Sequence, residues 1–149
     1  MRGISAILVI AAVLLGGCAS SGPKLAEIKT TMTPLAADQG RVYFYRSSSM
    51  FGAAIQPDIR LNGEVVGSSK PGGFFYKDVK GGNQTVSTST EVERQLTFTL
   101  APKETRYVRT SPSFGLLVGR VQPELVPQAE AEKEIADLHY TPYVPDGKK

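Results

Sequence analysis

Cys18 and His139 are the single cysteine and the single histidine of this chain. Nucleophilic catalysis needs a nucleophile, a base and a group that orients the base. One thiol and one imidazole are thin material for that, and one imidazole builds no His-rich metal centre. His139 falls at the end of a predicted helix, where the dipole favours a cation. Glu91 and Glu93 are two apart on a predicted strand and so share a face. Paired carboxylates can do acid–base work, but with Arg94 beside them they read as solvated surface charge. No catalytic residue, metal ligand or cofactor follows from these residues, and the chain reads as a non-enzyme.

The surroundings of Cys18 give the thiol a different task. Arg2 supplies a positive start, and residues 4–15 ("ISAILVIAAVLL") form an apolar run. That run matches a signal-peptide core and is shorter than the roughly 20 residues that cross a bilayer. It closes on "LLGGC" (14–18), which resembles the bacterial lipobox. The resemblance implies diacylglycerol on the Cys18 thiol, cleavage between Gly17 and Cys18, and acylation of the new amine with a chain such as palmitate. Two or three acyl chains give stable attachment where one gives only reversible binding. A second cysteine does not exist, so no internal disulfide forms. Ala19 is not the aspartate that, by the same resemblance, retains such proteins in the inner membrane. The expected location is the cell envelope, on the outer membrane if the source is Gram-negative.

These features divide the chain into a signal at 1–17, a lipidated cysteine and tether at 18–40, a domain at 41–140 and a loose tail at 141–149. The tether, "ASSGPKLAEIKTTMTPLAADQG" from residue 19 on, is small, polar and aperiodic, with a short ordered piece around Leu25–Ile28. A flexible coil of that length spans roughly 25 Å.

The domain must be built mostly of strands. "RVYFYR" (41–46) puts Val42 and Phe44 on one face and Tyr43 and Tyr45 on the other. "DIRLNGEVVGSS" (58–69) carries Asn62-Gly63, the strongest short hairpin signal. Strands follow at 72–79, 85–92, 95–100, 105–110 and 115–121, with turns at 80–84 and 101–104. In "QLTFTL" (95–100), Leu96, Phe98 and Leu100 point inward. Seven to eight short strands separated by Gly, Pro and Asn turns predict a mainly β fold, an antiparallel β-sandwich. "VPQAEAEKEIADLHY" (126–140) predicts one C-terminal helix whose Ala131, Ile135 and Leu138 form an apolar stripe that packs on the sandwich.

The segment "IRLNGEVVGSSKPGGFFYKDVKGGNQTVST" (59–88) resembles the PEGA-type β-sandwich layout. Extended by "TEVERQLTFTLAPKETRYVRTSPSFGLLVGRVQPELV", the run over about residues 40–138 resembles the DUF2846 family of bacterial lipoproteins. The family resemblance implies a small β-sandwich on an envelope lipoprotein and brings no catalytic residues. The PEGA-like layout implies a surface or carbohydrate-associated module.

Three partner readings follow. The membrane is engaged through the N-terminal lipid. Exposed apolar residues on two loops, Met50 and Phe51 in 47–57 and Phe114 in 110–117, mark a contact for another envelope protein, unless they tuck beneath the sandwich edge. Tyr43, Tyr45, Tyr76 and Tyr107 are candidates to stack on a glycan, peptidoglycan included, if a strand face is exposed. The terminal Lys149 offers a weaker route to covalent wall attachment. A nucleic-acid partner is not expected: the net charge is only +3 and no basic stripe exists.

Overall fold

The computed structural model describes residues 20–145, and the signal, Cys18 and Lys149 lie outside them. Nine strands form two sheets. They are β1 (Gln39–Tyr45), β2 (Asp58–Leu61), β3 (Glu64–Ser68), β4 (Gly73–Lys80), β5 (Gly82–Ser89), β6 (Glu93–Leu100), β7 (Thr105–Ser113), β8 (Arg120–Val126) and β9 (His139–Tyr140). One sheet runs β8-β7-β1-β4-β9 and the other β3-β2-β5-β6. Helix α1 (Leu25–Ile28) precedes them, and α2 (Gln128–Ile135) lies between β8 and β9.

Asn62 and Gly63 form the predicted two-residue hairpin turn, with φ of 52° and 88° between the paired Leu61 and Glu64. The Asn62 side chain also braces β5: its amide donates to Gln84 and its oxygen accepts from Thr85 N–H. Phe98 and Leu100 alternate into the core as their spacing predicts.

The antiparallel expectation holds at five of the strand pairings. It fails where β1 pairs with β7 and where β4 pairs with β9, both parallel. Parallel neighbours need only a long connection, not a helix. The intervening strands supply that connection between β1 and β7.

The five-stranded sheet is covered on both faces. Val42, Phe44, Phe75 and Val108 meet Ile59, Leu61, Val86, Phe98 and Leu100 of the smaller sheet. The other face carries Tyr43, Tyr45, Phe74 and Tyr107, closed over by Ala131, Ile135 and Leu138 and by Leu25 and Ile28 of α1. The predicted helical stripe is therefore correct, although α2 ends at Ile135 and the chain returns to the sheet as β9.

Two further expectations need correction. The segment after residue 19 is not a free coil. Ser20 Oγ donates to the Pro71 carbonyl, Tyr140 N–H donates to the Pro23 carbonyl, and Leu25 and Ile28 are buried. Ser20, two residues after Cys18, is already packed on the fold. The strand expected at 115–121 is also displaced: β8 starts at Arg120, and 114–119 is a loop. Pro123 sits comfortably in β8 because that strand is an edge of its sheet.

Candidate functional site

The strand registers bring four connections to one end of the sandwich. Tyr45 pairs with Phe74 and Arg109, Ser113 with Arg120, and Ile59 with Thr88. The loops at 46–57, 69–72, 90–92 and 114–119 therefore share that end. Lys80, paired with Gln39, marks the opposite one.

Arg46 organises the first loop. It is 2% exposed, and its guanidinium donates to the carbonyls of Gly52, Ile55 and Ser69 at 2.6, 2.5 and 3.0 Å. Three carbonyl dipoles take the place of a carboxylate partner, and burial lowers its pKa. The loop wraps this buried cation, and Met50 and Phe51 stand exposed on its outer side.

Glu91 organises the second loop from a neighbouring connection. Its carboxylate accepts N–H bonds from Leu116 and Leu117 at 2.8 Å each and from Val118 at 3.4 Å, and Arg120 Nε lies at 3.2 Å. The Leu117 amide first, then Leu116, holds this carboxyl below its ordinary range. A Cβ on Gly115 would stand 2.0 Å from Glu91 Oε1, so only glycine lets the chain close on the carboxylate. Gly119 has φ of 110° and faces Ile55 of the first loop. Glu91 is thus not half of a strand-borne pair with Glu93. β5 ends at Ser89, and the Glu93 carboxylate accepts from Gln95 instead.

The two loops touch. The Phe51 and Phe114 rings lie 5.0 Å apart at 65°, an edge-on contact. Around them the tip is bare. Met50 is 90% exposed, Phe114 85% and Leu117 91%, with Leu116 and Val118 also exposed. Met50, Phe51 and Phe114 are brought together, and they do not tuck beneath the edge. Sequence reasoning missed Leu116, Leu117 and Val118 because "LLV" has strand character. The signal that marks them is the pair of glycines bracketing the run.

The tyrosines have a different fate. Tyr43 and Tyr107 are 5% exposed and Tyr45 2%, under α2 and α1. Tyr43 stacks on Tyr107 at 5.2 Å. The hydroxyls of Tyr45 and Tyr107 donate to Glu134 and Glu132 of α2, and burial first, then these bonds, raises both pKa values. Tyr76 is half-buried beneath the Arg41 guanidinium. An exposed aromatic strand face for sugar stacking is therefore not formed by these residues. The physical reason is the helix: the stripe that covers this face needs an apolar surface to cover.

Arg109 joins the same helix to β8, contacting Glu124, Glu130 and Glu134 at 2.7–3.0 Å. Burial lowers its pKa, and the three carboxylates outweigh that. His139 Nδ1 lies 2.6 Å from the Gly22 carbonyl, on β9 and not at a helix end. Among the described residues no group of three or more His, Cys, Asp or Glu is placed to hold a metal ion. No helix among them is long and apolar enough to cross a membrane.

Fold and site together define a two-sheet β-sandwich with one helix-covered face and an apolar loop tip. A family model described as "Protein of unknown function (DUF2846)" matches residues 36–121, more than half of the chain, and the chain belongs to that family. The match ends inside β8, so α2 and β9 lie beyond it. A Haemophilus influenzae protein, described as uncharacterized, is similar at 30% identity over 139 residues, 90% of this chain and 82% of the relative. No solved structure matches the chain.

Proposed function

We propose that this is a lipid-anchored protein of the bacterial cell envelope whose folded domain is a non-enzymatic interaction or accessory module. The observation that carries the reading is the N-terminal arrangement of Arg2, the apolar run at 4–15 and "LLGGC" ending at Cys18. The packing of Ser20 and Pro23 onto the strands supports it, because an anchored cysteine would then hold a folded domain at short range. The polar groups with chemical potential are engaged in architecture. Glu91 holds a loop, Arg109 joins helix to sheet, and His139 meets a backbone carbonyl. That use of them supports a binding role over a catalytic one.

The test is mass spectrometry of the mature N-terminal peptide from membranes. The expected species begins at Cys18 and carries diacylglycerol and an amide-linked acyl chain. An intact Met1 terminus or an unmodified thiol would overturn the reading.

A further inference from the structure

The exposed tip is unusual in what it lacks as well as in what it shows. Residues 47–57 and 110–119 contain no ionisable side chain. Glu91, which faces the second loop, is occupied by three backbone amides and Arg120, and Asp137, which lines a hollow with Met50, pairs with Lys24. Leu116 and Leu117 are 88% and 91% exposed in succession, so they stand free on nearly every side and do not form part of a flat face. Their amides are already bonded, so the loop offers no strand edge for a protein partner to extend. A protruding, uncharged group of Leu, Val, Met and Phe suits the interfacial zone of a bilayer, where apolar side chains enter and the backbone must bring its own partners.

Ser20 lies at the same end. Ser20 and Met50 line one hollow, together with Ser48, Ala53, Pro71 and His139. Met50 adjoins Phe51, which contacts Phe114. Two residues of extended chain reach at most about 7 Å, so a membrane held through position 18 would lie close to Ser20, on this side of the domain. A lipid on Cys18 would bring this end, and not the Lys80 end, to the membrane.

We infer that the tip formed by Met50, Phe51, Phe114, Leu116, Leu117 and Val118 inserts into the surface of the bilayer that holds the lipid anchor, as a second point of attachment that fixes the domain's orientation. The inference rests on the lipid-anchored reading proposed above. Its experiment separates the two. Full-length protein is processed in a Gram-negative host, purified and reconstituted into phosphatidylethanolamine–phosphatidylglycerol vesicles. An environment-sensitive fluorophore is placed on Leu117→Cys or, at the opposite end, on Lys80→Cys, and the mass of the N-terminal peptide is measured on each sample.

The expected result is blue-shifted emission from position 117, with loss of intensity when doxyl-labelled lipids are included, and neither change at position 80. If the peptide is acylated and position 117 is neither shifted nor quenched, the tip stands off the bilayer. The inference then fails while the anchor stands. A shift at 117 that grows with protein concentration and ignores doxyl lipid identifies a contact between copies of the protein, and also overturns it. A free Cys18 thiol that takes up the fluorophore overturns the anchor and the inference together.

Discussion

β1 and the 114–119 loop resemble each other in sequence and differ completely in fate. "VYFY" and "FGLLV" are both short, apolar and rich in strand-forming residues. Val42, Tyr43, Phe44 and Tyr45 are all buried, whereas Phe114, Leu116, Leu117 and Val118 are all exposed. Apolarity does not separate them. Two circumstances do. β1 is central in its sheet, with β4 and β7 on either side, and each of its faces has a cover: the second sheet on one, α2 and α1 on the other. The 114–119 loop gives its amides to a carboxylate in place of a neighbouring strand, and no element among the described residues lies over it. Burial follows from available partners, not from apolarity alone.

The contrast is broken most strongly from the buried side. Ile135→Ala removes a fully buried side chain from the cover of the tyrosine face. It is expected to cost about 2–5 kcal/mol, read as a lower urea midpoint with an unchanged slope. Arg46→Met comes next. It leaves the carbonyls of Gly52, Ile55 and Ser69 without their donor. Bonds to a charged group contribute about 1.5–3 kcal/mol each in the general case. A loss of at least one such bond is expected in the same measurement, and the 47–57 loop should become protease-sensitive.

Gly115→Ala should act locally. Its new methyl displaces the Glu91 carboxylate, so amide hydrogen exchange at Leu116 and Leu117 should accelerate while the global melting temperature changes little. The same amides report on pH. The Glu91 carboxyl has a lowered pKa in the folded loop, so its stabilisation is fully present above the ordinary value of about 4.3. It is lost as pH falls through the lower folded value. Exchange protection at Leu116 and Leu117, corrected for intrinsic rates, should therefore drop only in acid. Glu91→Gln should remove the pH dependence.

The smallest stability effect is expected at the tip itself. Met50→Ser with Phe51→Ser, or Leu116→Ser with Leu117→Ser, should each leave the melting temperature nearly unchanged, as exposed substitutions do within about 0.5 kcal/mol. A large fall would place these side chains in the core and erase the contrast with β1.

Much of the architecture was legible in the chain. Asn62-Gly63 marked its hairpin because both residues accept positive φ, and Phe98 and Leu100 marked an inward face by period two. Ala131, Ile135 and Leu138 marked a helical stripe. Met50, Phe51 and Phe114 stand out in the sequence as loop residues of the wrong polarity. The parallel pairings were not legible, since periodicity reports which face a residue takes and not which strand lies beside it. The fate of Tyr43, Tyr45 and Tyr107 was equally hidden. Alternation showed that they share a face opposite Val42 and Phe44, but a face is exposed or covered according to what packs on it from distant segments, as Glu134 meets Tyr45 across 89 residues and Glu132 meets Tyr107 across 25. Glu91 could not be distinguished from surface charge, because its partners are backbone amides some 25 residues on, and amides carry no side-chain signature.

By itself, then, the sequence determined the local geometry: the mainly β character, the turns, the helix stripe and the family to which the chain belongs. Those follow from interactions within a few residues, where spacing is read directly. Only the tertiary structure decided that the tyrosines form a core and that the two apolar loops meet at Phe51 and Phe114. It also decided that the segment from Ser20 onward is docked on the fold, with Ser20 at that same end. Each of these depends on contacts between segments distant in the chain, and the free energy that selects them belongs to the assembled fold.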